Sequence, residues 1–181
     1  MKGSKRMIVV YHSNTGFSRK YAQWIGDALR CDAVEDKKLT TDQWNHADKV
    51  IYGGGMMAGK IQGFSKIRQR PEAARKLIAV FAVGATPKEA SALSEKIPQD
   101  NFTSEEQDSI AFFYLEGGLN YEKMGFLPRK MLKMMRRSLE KKHQRTAEEE
   151  EMLRIFESSH DRSNEGAIFP LVEYVKSLER K

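Results

Sequence analysis

Residues 7–18 read Met-Ile-Val-Val-Tyr-His-Ser-Asn-Thr-Gly-Phe-Ser. The apolar run Met7–Tyr11 ends in a hydroxyl-rich turn, Ser13-Asn14-Thr15-Gly16-Phe17-Ser18, and a helical pattern follows at once. A strand, a loop and a helix start in that order make an anion site. The first backbone N–H groups of a helix have no partner, and the helix dipole presents its positive end there. The Ser13, Thr15 and Ser18 hydroxyls add donors around the same point, and Gly16 lets the backbone come close to a bound group. The loop carries no lysine. It matches neither Gly-x-x-x-x-Gly-Lys-Ser/Thr, the loop of nucleotide hydrolases, nor the dinucleotide fingerprint Gly-x-Gly-x-x-Gly. An uncharged, hydroxyl-lined cradle suits one phosphate monoester held by hydrogen bonds. The plain alternative is an ordinary strand-to-helix turn capped by Ser and Asn.

The loop must be held by a sheet, and the rest of the chain supplies one. Tyr21, Trp24, Ile25, Ala28 and Leu29 recur at helical spacing, which predicts a helix from about Phe17 to Arg30. A weaker strand is expected near Asp32–Asp36, and Thr40-Thr41-Asp42 reads as the cap of a short helix through Trp44 and His46. Lys49–Tyr52 predicts a buried strand that ends in a flexible turn at Gly53-Gly54-Gly55, with a loop over 56–62. A helix is expected over 64–74, irregular at Pro71. Leu77–Val83 is the clearest strand, followed by a helix over 88–96 and a fifth strand over 110–115. The last helix is expected over 164–178, with Ile168, Leu171, Val172 and Val175 inward. Strands apolar throughout, alternating with helices, argue for a parallel sheet covered on both faces. Five of them suit the doubly wound order 2-1-3-4-5, in which ligands sit beyond the carboxyl ends of the strands. The turns at those ends are 13–18, 53–60, 84–88 and 116–121.

At 181 residues and 20.8 kDa the chain is expected to form a single domain, 1–181, with a substantial core. The single Cys, Cys31, excludes an internal disulfide and fits a reducing compartment. No zinc-ligand spacing occurs, so no metal site is expected. No apolar stretch approaches the length of a membrane span and no signal-peptide core is seen, so the expected location is cytoplasmic. His12, at the end of the first strand, reads as a hydrogen-bonded structural residue more readily than as an acid or base. No nucleophile–base arrangement can be read, which fits a cofactor carrying the chemistry.

The net charge is +6, and its location is informative. Residues 119–145 hold nine Lys or Arg and two Glu, a local excess that accounts for the whole net charge. On a helical wheel Met124, Leu127, Met131, Met135 and Leu139 fall on one side, and Arg129, Lys130, Lys133, Arg136 and Arg137 on the other. Such a helix reads as membrane-surface or partner-binding, with Lys130, Lys133, Arg136 and Arg137 as contacts. A core-packed helix with a solvated basic face is the alternative. The run Glu148–Glu151 is expected to pair with this segment or to cap the next helix. Nucleic acid is not expected as a partner, because aromatics are not interleaved with the basic residues.

The loop resembles that of the flavodoxins, which reads roughly Ser/Thr-x-Thr-Gly-x-Ser/Thr; Ser13, Thr15, Gly16 and Ser18 match it. The resemblance implies an α/β flavodoxin-like three-layer sandwich that binds FMN, with its phosphate on Ser13, Asn14, Thr15, Gly16, Phe17 and Ser18. It places the flavin ring between Gly54, Gly55, Met56, Met57, Ala58, Gly59 and Lys60 on one side and Gly84, Ala85 and Thr86 on the other. A methionine would then lie on a ring face, with core filling as its alternative role, and Lys60 would stabilise negative charge on reduced flavin.

Within that superfamily the chain is similar to the menaquinone-dependent protoporphyrinogen oxidases. The matching stretches are the loop 7–18, Gly54–Gly59, Gly117-Gly118-Leu119-Asn120-Tyr121 and the basic, Met-rich segment Phe126–Met135. The ring loop lacks the Arg-Tyr-type pair of that branch, and the chain is basic where carrier flavodoxins are acidic. Three functions stay open. The first is an FMN oxidoreductase or electron-transfer protein serving a quinone-like acceptor. The second is a protoporphyrinogen IX dehydrogenase of heme biosynthesis. The third is a non-enzymatic carrier docking on a redox-protein partner through a helical basic insertion at 119–160. An anionic membrane surface on the inner face of the cell membrane is the further expected contact.

Overall fold

The apolar runs become parallel strands buried on both sides. The computed structural model describes residues 6–87 and 92–180. Its strands are β1 (Met7–His12), β2 (Asp32–Glu35), β3 (Lys49–Met57), β4 (Lys60–Ile61), β5 (Leu77–Gly84), β6 (Ala111–Glu116), β7 (Gly118–Leu119) and β8 (His160–Asp161). Five of them form a parallel sheet in the order β2-β1-β3-β5-β6, the expected doubly wound order, while β4 folds back antiparallel on β3. The helices are α1 (Phe17–Leu29), α2 (Thr41–His46), α3 (Phe64–Ile67), α4 (Ala73–Lys76), α5 (Ala92–Asn101), α6 (Ser104–Ser109), α7 (Phe126–Glu140), α8 (Ala147–Ile155) and α9 (Phe169–Glu179).

Alternation along the strands splits the core into two layers. Val9, Ile51, Ala79 and Phe81 pack with Tyr21 and Ile25 of α1 and with Leu171 and Val175 of α9. Val10, Tyr52, Val80 and Ala82 pack with Trp44 of α2, Phe64 of α3 and Ile97 of α5. Because β1, β3 and β5 are covered on both faces, none of the three shows the polar alternation of a half-exposed sheet.

Several boundaries differ from the sequence-based expectation. Gly53, Gly54 and Gly55 lie inside β3, not in a flexible turn. A Cβ on Gly53 would lie 1.9 Å from Cζ of Phe81, its register partner on β5. Position 53 is therefore glycine so that a buried ring can cross the strand. The expected loop 56–62 is a hairpin, with Met56 opposite Ile61 and Met57 opposite Lys60. Its two turn residues, Ala58 and Gly59, have φ of 49° and 76°, the pair of positive values that a two-residue hairpin turn favours. The helix expected over 64–74 is divided into α3 and α4, with Pro71 between them. The expected helix 88–96 begins in residues 88–91, outside the described residues; α5 runs on through Pro98 to Asn101. The unforeseen helix α6 lacks apolar periodicity and is held by a capping box between Thr103 and Glu106.

Cys31 follows α1, in a cleft of about 460 Å³ near the amino-terminal edge of the sheet. Burial, helped by the Asp32 and Glu179 carboxylates, pushes its thiol up to about 11. At pH 8 its thiolate fraction, and hence its alkylation by iodoacetamide, should be about a hundredfold below that of an unperturbed cysteine. Mass-spectrometric timing of alkylation checks this, and reaction at the free-thiol rate contradicts it.

Candidate functional site

One cavity of about 750 Å³ opens at the carboxyl ends of β1, β3 and β5. Ser13, Asn14, Thr15, Phe17 and Ser18 line one end of it. Gly16 is the N-cap residue of α1 with φ of 103°, a conformation that glycine adopts freely and other residues do not. Its N–H donates to Ser13 Oγ at 3.2 Å. No side chain caps α1, and no acid lies in its first turn. The first N–H groups of the helix therefore keep their bonding capacity, beside the hydroxyls of Thr15 and Ser18 at the cavity wall. An anion completes this helix start better than any residue present.

The β3–β4 hairpin makes one side wall, through Gly55, Met56, Met57, Ala58 and Gly59. Gln62 fastens it: its N–H donates to Gly55 O at 3.0 Å and its carbonyl accepts from the Tyr52 hydroxyl at 2.7 Å. The Gln62 amide also lines the cavity, near Met57 Sδ at 3.8 Å. Gly84, Ala85 and Thr86 make the opposite wall. Tyr114 holds it, donating to Thr86 O at 2.7 Å. Burial pushes the Tyr114 phenol well above its usual range, so it stays a donor.

The roof comes from residues after the sheet. Strands β7 and β8 pair antiparallel and close the base of a helical hairpin, α7 and α8. Pro128, Met131, Leu132 and Met135 of α7 line the cavity, with Met152 of α8 and Phe156 after it. A small apolar cluster of Leu119, Ile155 and Phe156, with Leu132, Leu139 and Met152 against it, holds the hairpin together. The acidic run serves both of its expected uses. Glu149 completes a capping box with Thr146 and pairs with Lys142, and Glu150 pairs with Arg145 at 2.6 Å.

Thirteen of the sixteen residues expected at the site lie on its wall, and Gly16, Gly54 and Lys60 do not. Gly16 acts through backbone shape. Gly54 is packed under the hairpin, where a Cβ would meet Gln62 O at 2.5 Å. Lys60 points away: its ammonium donates to Asp100 O at the end of α5, so it ties the hairpin to that helix. His12 does not line the cavity either; its Nδ1 is 2.8 Å from Asp36 Oδ2. Sequence reasoning missed Gln62, Lys96, Tyr114 and the α7–α8 wall. Only the Met-rich pattern of 124–135 signalled any of them.

The helical wheel needs correction at one position. Leu127 was placed on one apolar side with Met131, yet it is 62 % exposed while Met131 lines the cavity. The inward position is taken by Pro128, one residue and 100° further round the helix. Arg136, expected as a membrane or partner contact, pairs with Glu140 on the same helix at 2.8 Å.

Residues 8–146 match the flavodoxin domain family. The chain belongs to that family. The matched span runs from β1 into the turn before α8, so α7 lies within it. The chain is similar to a WrbA-like flavodoxin from Agrobacterium tumefaciens, at 14 % identity over 84 % of this chain and 96 % of that one, with a TM-score of 0.41. It is also similar to Flavodoxin 2 from Bacillus cereus, at 16 % identity over 61 % and 84 % of the two chains and a TM-score of 0.44. Such scores are too low to bear on function, and membership rests on the domain match. No curated protein matches the chain. Among the described residues no helix is long and apolar enough to cross a membrane, and no cluster of side chains suits a metal ion.

Proposed function

We propose that this flavodoxin-domain protein binds FMN and passes electrons to an apolar, quinone-like acceptor. The observation that carries the reading is one cavity with two unlike ends. An uncapped, uncharged helix start lies at one end and a methionine-lined wall at the other. The residues fit the cofactor. The N–H groups of α1 and the hydroxyls of Ser13, Thr15 and Ser18 suit its phosphate. The walls at 55–59 and 84–86 suit the edges of its ring. A volume of about 750 Å³ is that of a small-molecule site. FMN, when bound, supplies one- and two-electron redox chemistry. The protein positions it: Tyr114 fixes the 84–86 wall, Gln62 fixes the hairpin, and α7 with α8 keeps water from the roof. Met131 and Met135 give an adaptable apolar seat for a flat acceptor.

Protoporphyrinogen dehydrogenation is a second reading, favoured by the apolar roof that α7 lays over the cavity. A carrier role is the third, with the basic outer face of α7 docking on an acidic redox protein. One series of measurements tests all three. The purified protein should show the yellow flavin spectrum or take up FMN with submicromolar affinity. The holoprotein should then catalyse reduction of a soluble quinone. Porphyrinogen oxidation at a comparable rate selects the second reading. Turnover only after addition of a partner reductase selects the third. A colourless protein that ignores FMN overturns all of them.

A further inference from the structure

Four of the five large hydrophobic side chains exposed among the described residues lie on α7. Met135 borders the cavity, but Phe126, Leu127 and Met134, at 82 %, 62 % and 61 % exposure, do not. At 100° per residue these three share an arc of about 120° with Lys130, Lys133, Arg137 and Lys141. All four cations are exposed, and none is in an ion pair among the described residues. Other cations of the segment do have partners: Arg136 with Glu140, Lys142 with Glu149 and Arg145 with Glu150. The opposite side of α7 is seated on α8 and the cavity, so the outer face is the one left for a partner.

We propose that this outer face docks on an anionic phospholipid bilayer, with Phe126, Leu127 and Met134 entering the headgroup layer and Lys130, Lys133, Arg137 and Lys141 meeting its phosphates. Scattered single hydrophobics need no explanation, but three within little more than two turns, ringed by unpaired cations, form a patch that water disfavours and an anionic interface suits. Charge complementarity selects anionic over neutral lipid, because each basic residue near such a surface adds attraction. An acidic protein would match the cations and leave the three apolar side chains without a role. One helix thus has two functions, its inner face roofing the cavity and its outer face lying on lipid. An acceptor dissolved in the bilayer would reach the cavity beside Met135. That last step rests on the quinone reading above, whereas the contact itself does not.

The test is co-sedimentation of the FMN-loaded protein with phosphatidylcholine vesicles, with and without phosphatidylglycerol. Binding to the anionic vesicles should be about a hundredfold stronger and should fall with salt. The triple change Phe126→Ser, Leu127→Ser and Met134→Ser should weaken it at least ~tenfold, as should Lys130→Glu, Lys133→Glu and Arg137→Glu. Flavin content and circular dichroism confirm that the variants fold. Independently, Phe126→Trp should give emission quenched by brominated anionic lipid. No binding to anionic vesicles overturns the proposal. So does loss in the charge variant alone, with the apolar variant unchanged and Trp unquenched; that pattern marks an acidic macromolecule as the partner. Failure of the functional reading looks different. Protein that sediments but neither holds flavin nor reduces a soluble quinone keeps the membrane contact and loses the acceptor.

Discussion

Changing Gly16 to Glu should weaken FMN binding more than about a hundredfold while leaving the sheet folded. Two effects add. Gly16 has φ of 103°, and a side chain there costs about 1–2 kcal/mol unless the loop shifts. The new carboxylate would also stand near the bound phosphate. At about 5 Å and an effective dielectric constant near 20, each pair of unit charges repels by about 3 kcal/mol. The fold should tolerate the change, because a Cβ at this position meets nothing within 4 Å. Two companions separate the effects. Gly16→Ala carries the strain without the charge and should cost about tenfold. Thr15→Val keeps the shape and removes one hydroxyl. A hydrogen bond to a charged group contributes about 1.5–3 kcal/mol, or roughly ten- to hundredfold in affinity. Titration of the apoprotein by quenching of flavin fluorescence reads all three. Equal affinities in Gly16→Glu, Thr15→Val and the parent would sink the assignment of this loop to phosphate.

Gly53→Ala should be the most destabilising methyl group that can be added to the sheet, at about 3 kcal/mol or more. The added Cβ would sit 1.9 Å from Cζ of Phe81, and 2.3 and 2.4 Å from its Cε atoms. The ring cannot retreat easily. Phe81 is fully buried among Val9, Ile51, Tyr21 and Leu171, in a core packed against α1 and α9. Relief requires β3 and β5 to separate, which breaks their ladder, or the ring to leave its rotamer. For a chain of this length the loss corresponds to roughly 6–12 °C in melting temperature. The double change Gly53→Ala with Phe81→Leu should recover part of it, since the ring edge is then gone. Urea unfolding of the three variants measures both effects. A single variant within about 0.5 kcal/mol of the parent would contradict the packing account.

These two glycines show how legible the site was before folding. Gly16 stood out in sequence because its neighbours Ser13, Thr15 and Ser18 form a local pattern, and loop, helix start and ligand chemistry lie within six residues. The strands were legible for a similar reason, since a run such as Leu77–Val83 is apolar on both faces wherever it sits. Gly53 looked like part of a flexible turn, because three consecutive glycines read that way when Phe81 is 28 residues further on and out of view. Gln62 and Tyr114 were invisible for the same reason. Their value lies in hydrogen bonds to backbone brought alongside by the sheet register. Lys60 misled because its charge suggested a ligand contact, while the hairpin aims it at the carbonyl end of α5.

By itself, then, the sequence determined the α/β class, the hydroxyl-lined helix start and the concentration of positive charge in 119–145. Each is a property of local period or local composition, which backbone geometry converts directly into structure. Only the tertiary structure decided which face of α7 looks inward, and that Pro128 and not Leu127 meets the cavity. A helical wheel gives relative angles but no zero. The zero is set where α7 meets α8 and the sheet, through contacts between residues far apart in the chain.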